Sequence, residues 1–131
     1  MIVVDASAVI ELLLRSPLGE RVEHRLFARP EALHGPHLLD VEVLQVLRRF
    51  ESRGELQGPR AATALSLLDV LPMRRHPHAP LLSRIWALRD NLTAYDATYV
   101  ALAEALGAVL VTCDARLGRA PGVRATVEVL S

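Results

Sequence analysis

Four carboxylates stand where a chain puts groups for chemistry. Asp5 follows the β-branched run Ile2-Val3-Val4 directly, and Asp114 lies two residues past Thr112 at the end of another apolar run. Glu42 falls in the first turns of a helical segment, and Asp96 in the first turn of another, beside Tyr95 on an otherwise apolar stretch. On a parallel α/β sheet, strand C-termini and helix N-termini open onto the same edge, so all four acids can share one crevice. Like charges gathered there repel unless a cation neutralises them. A donor set made only of carboxylate oxygens selects a hard ion, Mg²⁺ or Mn²⁺, whose chemistry is to activate water and steady the leaving oxygen in phosphodiester hydrolysis.

Each acid also has an ordinary structural reading. Asp5 would cap a helix that begins at Ala6, Asp96 would complete a capping box with Thr93, Glu42 would be a solvated helix residue, and Asp114 would serve a turn. Singly, these readings are at least as common as the chemical one. The joint placement of four is what favours a shared site. Asp40 precedes Glu42 by two residues and so points about 200° away around the helix, which makes it peripheral. Asp90 reads as a turn residue or a group behind the site.

The elements that must position these acids alternate. Ile2 to Val4 reads as a strand and Ala6 to Leu14 as a helix; Ser16-Pro17 is a break, and Gly19 to Ala28 has helical spacing. A short strand is expected at Ala32-Leu33-His34, then a helix from His37 to Arg53 closed by Gly54. Gly58-Pro59 opens another helix, with Ala61, Ala64, Leu65 and Leu68 on one stripe. A poorly defined strand near Val70 to Met73 leads into a loop from His76 to Pro80, and Leu81 to Leu88 is helical. The helix that carries Asp96 ends at Gly107, Ala108 to Thr112 is strand, Ala115 to Gly118 a turn or short helix, and Ala125 to Leu130 a last strand. Such alternation predicts an α/β fold, a three-layer α/β/α sandwich around a central, mostly parallel sheet. At 131 residues the chain, 1–131, is expected to be one domain.

Composition excludes several function classes. The fifteen basic residues are all Arg and balance fifteen acids, so no global basic field advertises nucleic acid, although local segregation of charge is invisible to a sum. The lack of Lys eliminates a P-loop NTPase and weakens a phospho-acceptor receiver domain. A haloacid-dehalogenase-type phosphatase would want a second Asp where Ser7 stands. The lone cysteine, Cys113, cannot form an internal disulfide and suits a reducing compartment. The apolar N-terminus lacks a basic flank and carries Asp5 and Glu11, so neither a signal peptide nor a membrane span is expected. The expectation is a cytoplasmic protein. A hydrophobic content of 51% is slightly above the usual range of about 45 to 50%, which leaves room for an apolar surface that meets a partner.

Three stretches, MIVVDASAVIELLL, LLDVEVLQVLRR and LTAYDATYVALAEALGAVLVTCDARL, together resemble a PIN-domain ribonuclease of the VapC toxin type, over nearly the whole chain. The resemblance implies that Asp5, Glu42, Asp96 and Asp114 bind one or two Mg²⁺ or Mn²⁺ ions and cleave RNA, and that Ser7 and Thr112 support the acids. It also implies a cognate antitoxin that covers the site and a homodimeric toxin. Ser7 as a nucleophile has no assignable His base, so support of Asp5 is the better reading. His76 and His78 flank Pro77 without the partners a zinc site needs, and a loop role is expected. Cys113 reads as a core or rim residue. Arg48, Arg49, Arg53, Arg84 and Arg89 read mostly as solvated helix faces, some able to meet phosphate. The apolar faces of the helices at 6 to 14 and 59 to 71 are expected to receive an antitoxin helix or a second copy. The alternative to an enzyme is a catalytically idle PIN-fold protein-binding module, against which the presence of all four acids speaks.

Overall fold

The computed structural model describes residues 1–131. Strand β1 (Ile2–Val4) is buried at every residue, which is why an unalternating β-branched run suits it: a central parallel strand is covered on both faces. It pairs with β2 (Leu33–Pro36) on one side and β4 (Val109–Thr112) on the other. β3 (Met73–His76) and β5 (Val127–Val129) complete a five-stranded sheet of order β3-β2-β1-β4-β5, parallel throughout. The chain leaves β1 toward β2 and β3, then returns across β1 to β4. The strand order therefore reverses between β1 and β4, the place where an open α/β sheet forms its crevice.

Helices α1 (Ala6–Leu14), α2 (Pro17–Phe27), α3 (Leu38–Ser52) and α4 (Gly58–Val70) pack on one another. α5 (Leu82–Ala87) packs on α6 (Ala94–Leu106), which lies against β1, β2 and β4, and α7 (Ala115–Arg119) lies against β5. The architecture is the expected α/β/α sandwich. α2 approaches α1 so closely that a Cβ at Gly19 would stand 2.1 Å from the Glu11 carbonyl oxygen. Gly107, with φ +63°, closes α6 in the left-handed region, as the spacing predicts.

Three expectations need correction. The strand placed near Val70 to Met73 is β3 at Met73–His76, and Val70 still belongs to α4. Leu71 is pushed to extended backbone (ψ 122°) because it precedes Pro72, and the strand starts only after that proline. β2 runs on through Gly35-Pro36, where a turn signal was expected to end it. β1 pairs with β2 only as far as His34, so the missing N–H of Pro36 costs no ladder bond. The apolar face of α1 is not a docking surface: Ala6, Ala8, Val9, Ile10 and Leu13 are all in the core. On α4, Ala64 and Leu68 are buried, whereas Leu65 and Val70 remain exposed.

Candidate active site

β1 and β4 end side by side, with Val4 opposite Val111 and the Asp5 amide donating to the Val111 carbonyl at 2.9 Å. This register sets Asp5 beside the turn that leads to Asp114. Asp5 is 5% exposed. It occupies the N-cap position of α1 yet makes no capping bond with its side chain, so the ordinary reading fails for this residue. Instead its Oδ2 accepts from Ser7 Oγ at 2.6 Å and from Thr112 Oγ1 at 2.8 Å. The two hydroxyls in turn accept backbone N–H groups, Cys113 at 3.0 Å onto Ser7 and Asp114 at 2.9 Å onto Thr112. One buried carboxylate thus ties the end of β1 to the β4–α7 turn. Both hydroxyls meet the same oxygen, which leaves Oδ1 without a side-chain partner.

Glu42 sits on α3 and is half-buried; the Tyr99 hydroxyl donates to its Oε1 at 2.5 Å. Tyr99, 1% exposed, is the residue sequence reasoning missed. The available signal was its spacing: three residues after Asp96 on one helix, it shares that acid's face. Asp96 itself has its N–H capped by Thr93 Oγ1 at 3.1 Å, so the predicted helix start is present. Its carboxylate lines the cleft, 4.0 Å from the Arg116 guanidinium. Asp114 caps α7 through the Arg116 N–H at 3.0 Å and holds the Arg116 side chain at two points, 2.6 and 3.1 Å. For this acid the turn reading and a place in the cleft hold together.

All four acids line one cleft, with Gln45, Arg49, Tyr95 and Arg116 around them. Burial pushes the carboxyls of Asp5, Glu42 and Asp96 above the usual range, and neighbouring acids push the same way. Hydrogen bonds from Ser7 and Thr112 oppose this at Asp5, as does Tyr99 at Glu42. Asp114 lies below the usual range because Arg116 is bonded to it. As the side chains stand, no three His, Cys, Asp or Glu residues converge into a metal-ligand set, and Arg116 is the counter-charge between Asp96 and Asp114. The donor chemistry nevertheless fits a hard cation: four carboxylates, no nitrogen or sulfur, and one oxygen of the buried Asp5 unclaimed by any side chain.

Residues 2–123 match the PIN domain family. The chain is a PIN-domain protein of the VapC type. It is 40% identical to Ribonuclease VapC12 of Mycobacterium tuberculosis (strain ATCC 25618 / H37Rv) over 131 residues, the whole of both chains. It is 46% identical to Ribonuclease VapC9 of the same strain over 117 residues, 89% of this chain and 88% of that one. Its backbone follows VapBC2 from Rickettsia felis, solved with a DNA fragment from the promoter, at a TM-score of 0.73 over 100% of both chains and 14% identity, a likeness of fold.

Other candidates in this PIN domain take structural places. Asp40 pairs with Arg75 at 2.9 Å, away from the cleft, and Arg84 with Glu104 at 2.8 Å. Asp90 is exposed in the connection that precedes α6. The thiol of Cys113 is pushed up to about 11 by burial and nearby acids, so it stays protonated and is a poor nucleophile. His76 is not a loop residue: it ends β3 and bonds His34 at 2.8 Å. His78 Nε2 accepts the Leu38 N–H at 2.9 Å and caps α3, whose own N-cap residue, His37, offers no side-chain bond. No helix is long and apolar enough to cross a membrane.

Proposed function

We propose that this chain is an endoribonuclease that hydrolyses RNA phosphodiesters with Mg²⁺ or Mn²⁺ held by Asp5, Glu42, Asp96 and Asp114, and that it is the toxin of a toxin–antitoxin pair. The observation that supports this reading most is that four acids from four separate elements line one cleft at the strand-order switch, three of them with carboxyls raised by burial and by neighbouring acids. A structural role explains a cap or an ion pair; it does not explain why a fold would set these charges together against burial. A bound divalent ion supplies the neutralising charge and the activation of water. The chain's own residues then orient the site. Ser7 and Thr112 hold Asp5 in one rotamer, Tyr99 does the same for Glu42, and Thr93 starts the helix that aims Asp96. Arg116 must release Asp114 for that acid to serve as a ligand, which frees its guanidinium to meet a phosphate.

The antitoxin and a homodimer belong to the same reading. Val41 and Tyr95, both largely exposed, line the acid cleft and give it an apolar rim suited to a protein that covers it. The idle binding module keeps one observation on its side, the two-point grip of Arg116 on Asp114. Incubating the purified protein with structured RNA separates the two. Cleavage is expected with Mg²⁺ or Mn²⁺, none in chelator, and none from Asp5→Asn. Cleavage that survives chelation would reject the metal mechanism, and RNA left intact under every ion would leave the binding module.

A further inference from the structure

A groove runs out of the acid cleft between the α5–α6 connection and α7. It shares Asp96 and Arg116 with the cleft and continues past Arg89, Asp90, Asn91 and Arg119. Two of its three arginines, Arg89 and Arg119, carry no ion pair, while Arg116 is held by Asp114 and Asp96. Arg25, Arg75 and Arg84 are each neutralised by Glu31 and Glu128, by Asp40 and by Glu104. Arg119 has no carboxylate within ion-pair distance, and the only bond Arg89 makes is to the Trp86 carbonyl at 3.0 Å. Asp90 is the one acid in the groove besides Asp96. The path that leaves the acids thus carries two unpaired guanidiniums, Arg89 and Arg119, against one unpaired carboxylate, Asp90.

Trp86, the only tryptophan, stands next to this path. It is 67% exposed, and the Arg89 guanidinium lies over its ring at 4.6 Å from the centroid. That stack fixes the orientation of the ring while leaving most of it in water. A large aromatic face left open and paired with a guanidinium is the arrangement on which an unpaired base stacks, with phosphates held by the cations alongside. A duplex cannot offer its bases in that way.

We infer that this groove is the track for a single strand of RNA, with Arg89, Arg116 and Arg119 on its phosphates and Trp86 as a stacking platform for one base beyond the cut. The inference rests on the ribonuclease reading and adds where the substrate lies. Because Trp86 is the sole tryptophan, its fluorescence reports the groove directly. Titrating the Asp5→Asn protein with a mixed-sequence single-stranded RNA should quench that fluorescence, and a blunt duplex should quench it much less. By anisotropy of the labelled strand, Trp86→Ala should weaken binding at least about fivefold and Trp86→Phe should restore most of it. Arg89→Ala and Arg119→Ala should each weaken binding and lower the salt slope by about 0.7. Arg124→Ala, at the opposite end of the sheet beside Ala108 and Val109, serves as the control. Cleavage of RNA by the parent, together with an unquenched Trp86 and affinities equal to the control, would overturn the groove and spare the nuclease, leaving the groove to a protein partner. A protein that neither binds nor cleaves RNA would overturn both.

Discussion

Asp5 carries the clearest conflict between stability and chemistry. Burial raises its carboxyl, so the folded chain holds that proton more tightly than the unfolded chain does. The stability linked to it is complete below the ordinary carboxylate pKa of about 3.9 and is lost as pH rises through the raised folded value. Glu42 and Asp96 shift in the same direction, and Asp114, lowered by Arg116, in the opposite one. In chelator, Asp5→Asn should therefore be at least as stable as the parent at pH 7, and the gap between them should close as the solution is acidified. Asp5→Ala removes the acceptor shared by Ser7 and Thr112 and should cost about 1 to 3 kcal/mol. Denaturant melts of the three forms at several pH values check both statements. If Asp5→Asn loses as much stability as Asp5→Ala, the carboxylate is structural. The type and position of this acid were legible in the sequence, as was the support of Ser7 two residues on; Thr112, 107 residues away, was legible only by family resemblance.

At the scale of elements, the helix that presents Glu42 begins on a borrowed cap. His37 cannot satisfy the first amides of α3, and His78, reaching over from the turn after β3, accepts from Leu38. The His37 N–H goes to the His76 carbonyl at 2.8 Å, so the root of α3 is anchored twice to β3 and the residues after it. His78→Ala should cost about 0.5 to 2 kcal/mol, the usual loss for a missing N-cap, and should lower RNA cleavage by loosening Glu42. Thermal melts and a cleavage assay on the same preparation test this; an unchanged melting point would show that water replaces the imidazole. Helix periods and the glycine and proline stops were readable locally, which is why α1, α3, α4 and α6 fall close to their expected bounds. β2 and β3 were displaced because Pro36 and Pro72 act through strand pairing and backbone restriction, and apolar periodicity is blind to both.

For the whole molecule, the sheet order brings four scattered acids to one cleft, and the proposed ion site there links folding to ion binding. An ion that binds the folded chain alone stabilises it by RT ln(1 + [L]/Kd), about 2.7 kcal/mol at one hundred times Kd. Mn²⁺ should raise the melting temperature of the parent in proportion to the logarithm of its concentration, and raise that of Asp5→Asn and Asp96→Asn much less. An equal response in all three would show that these acids do not hold the ion. The neutral net charge decides little about RNA, because it sums arginines spent on ion pairs, such as Arg25, Arg75 and Arg84, with unpaired ones beside the cleft, such as Arg89 and Arg119.

Sequence alone determined the residue types, the periods and the breaks, and with them the alternation of strands and helices and the four acids at strand ends and helix starts. These are properties of neighbours within a few turns, where backbone geometry dictates which side chains share a face. Only the tertiary structure decided that β1 and β4 adjoin, that Tyr99 steadies Glu42, that Arg116 grips Asp114, and that α1 spends its apolar face inside the fold. The physical reason is range. A hydrogen bond between residues far apart in the chain depends on strand order and register, and those follow from burying the whole apolar surface at once.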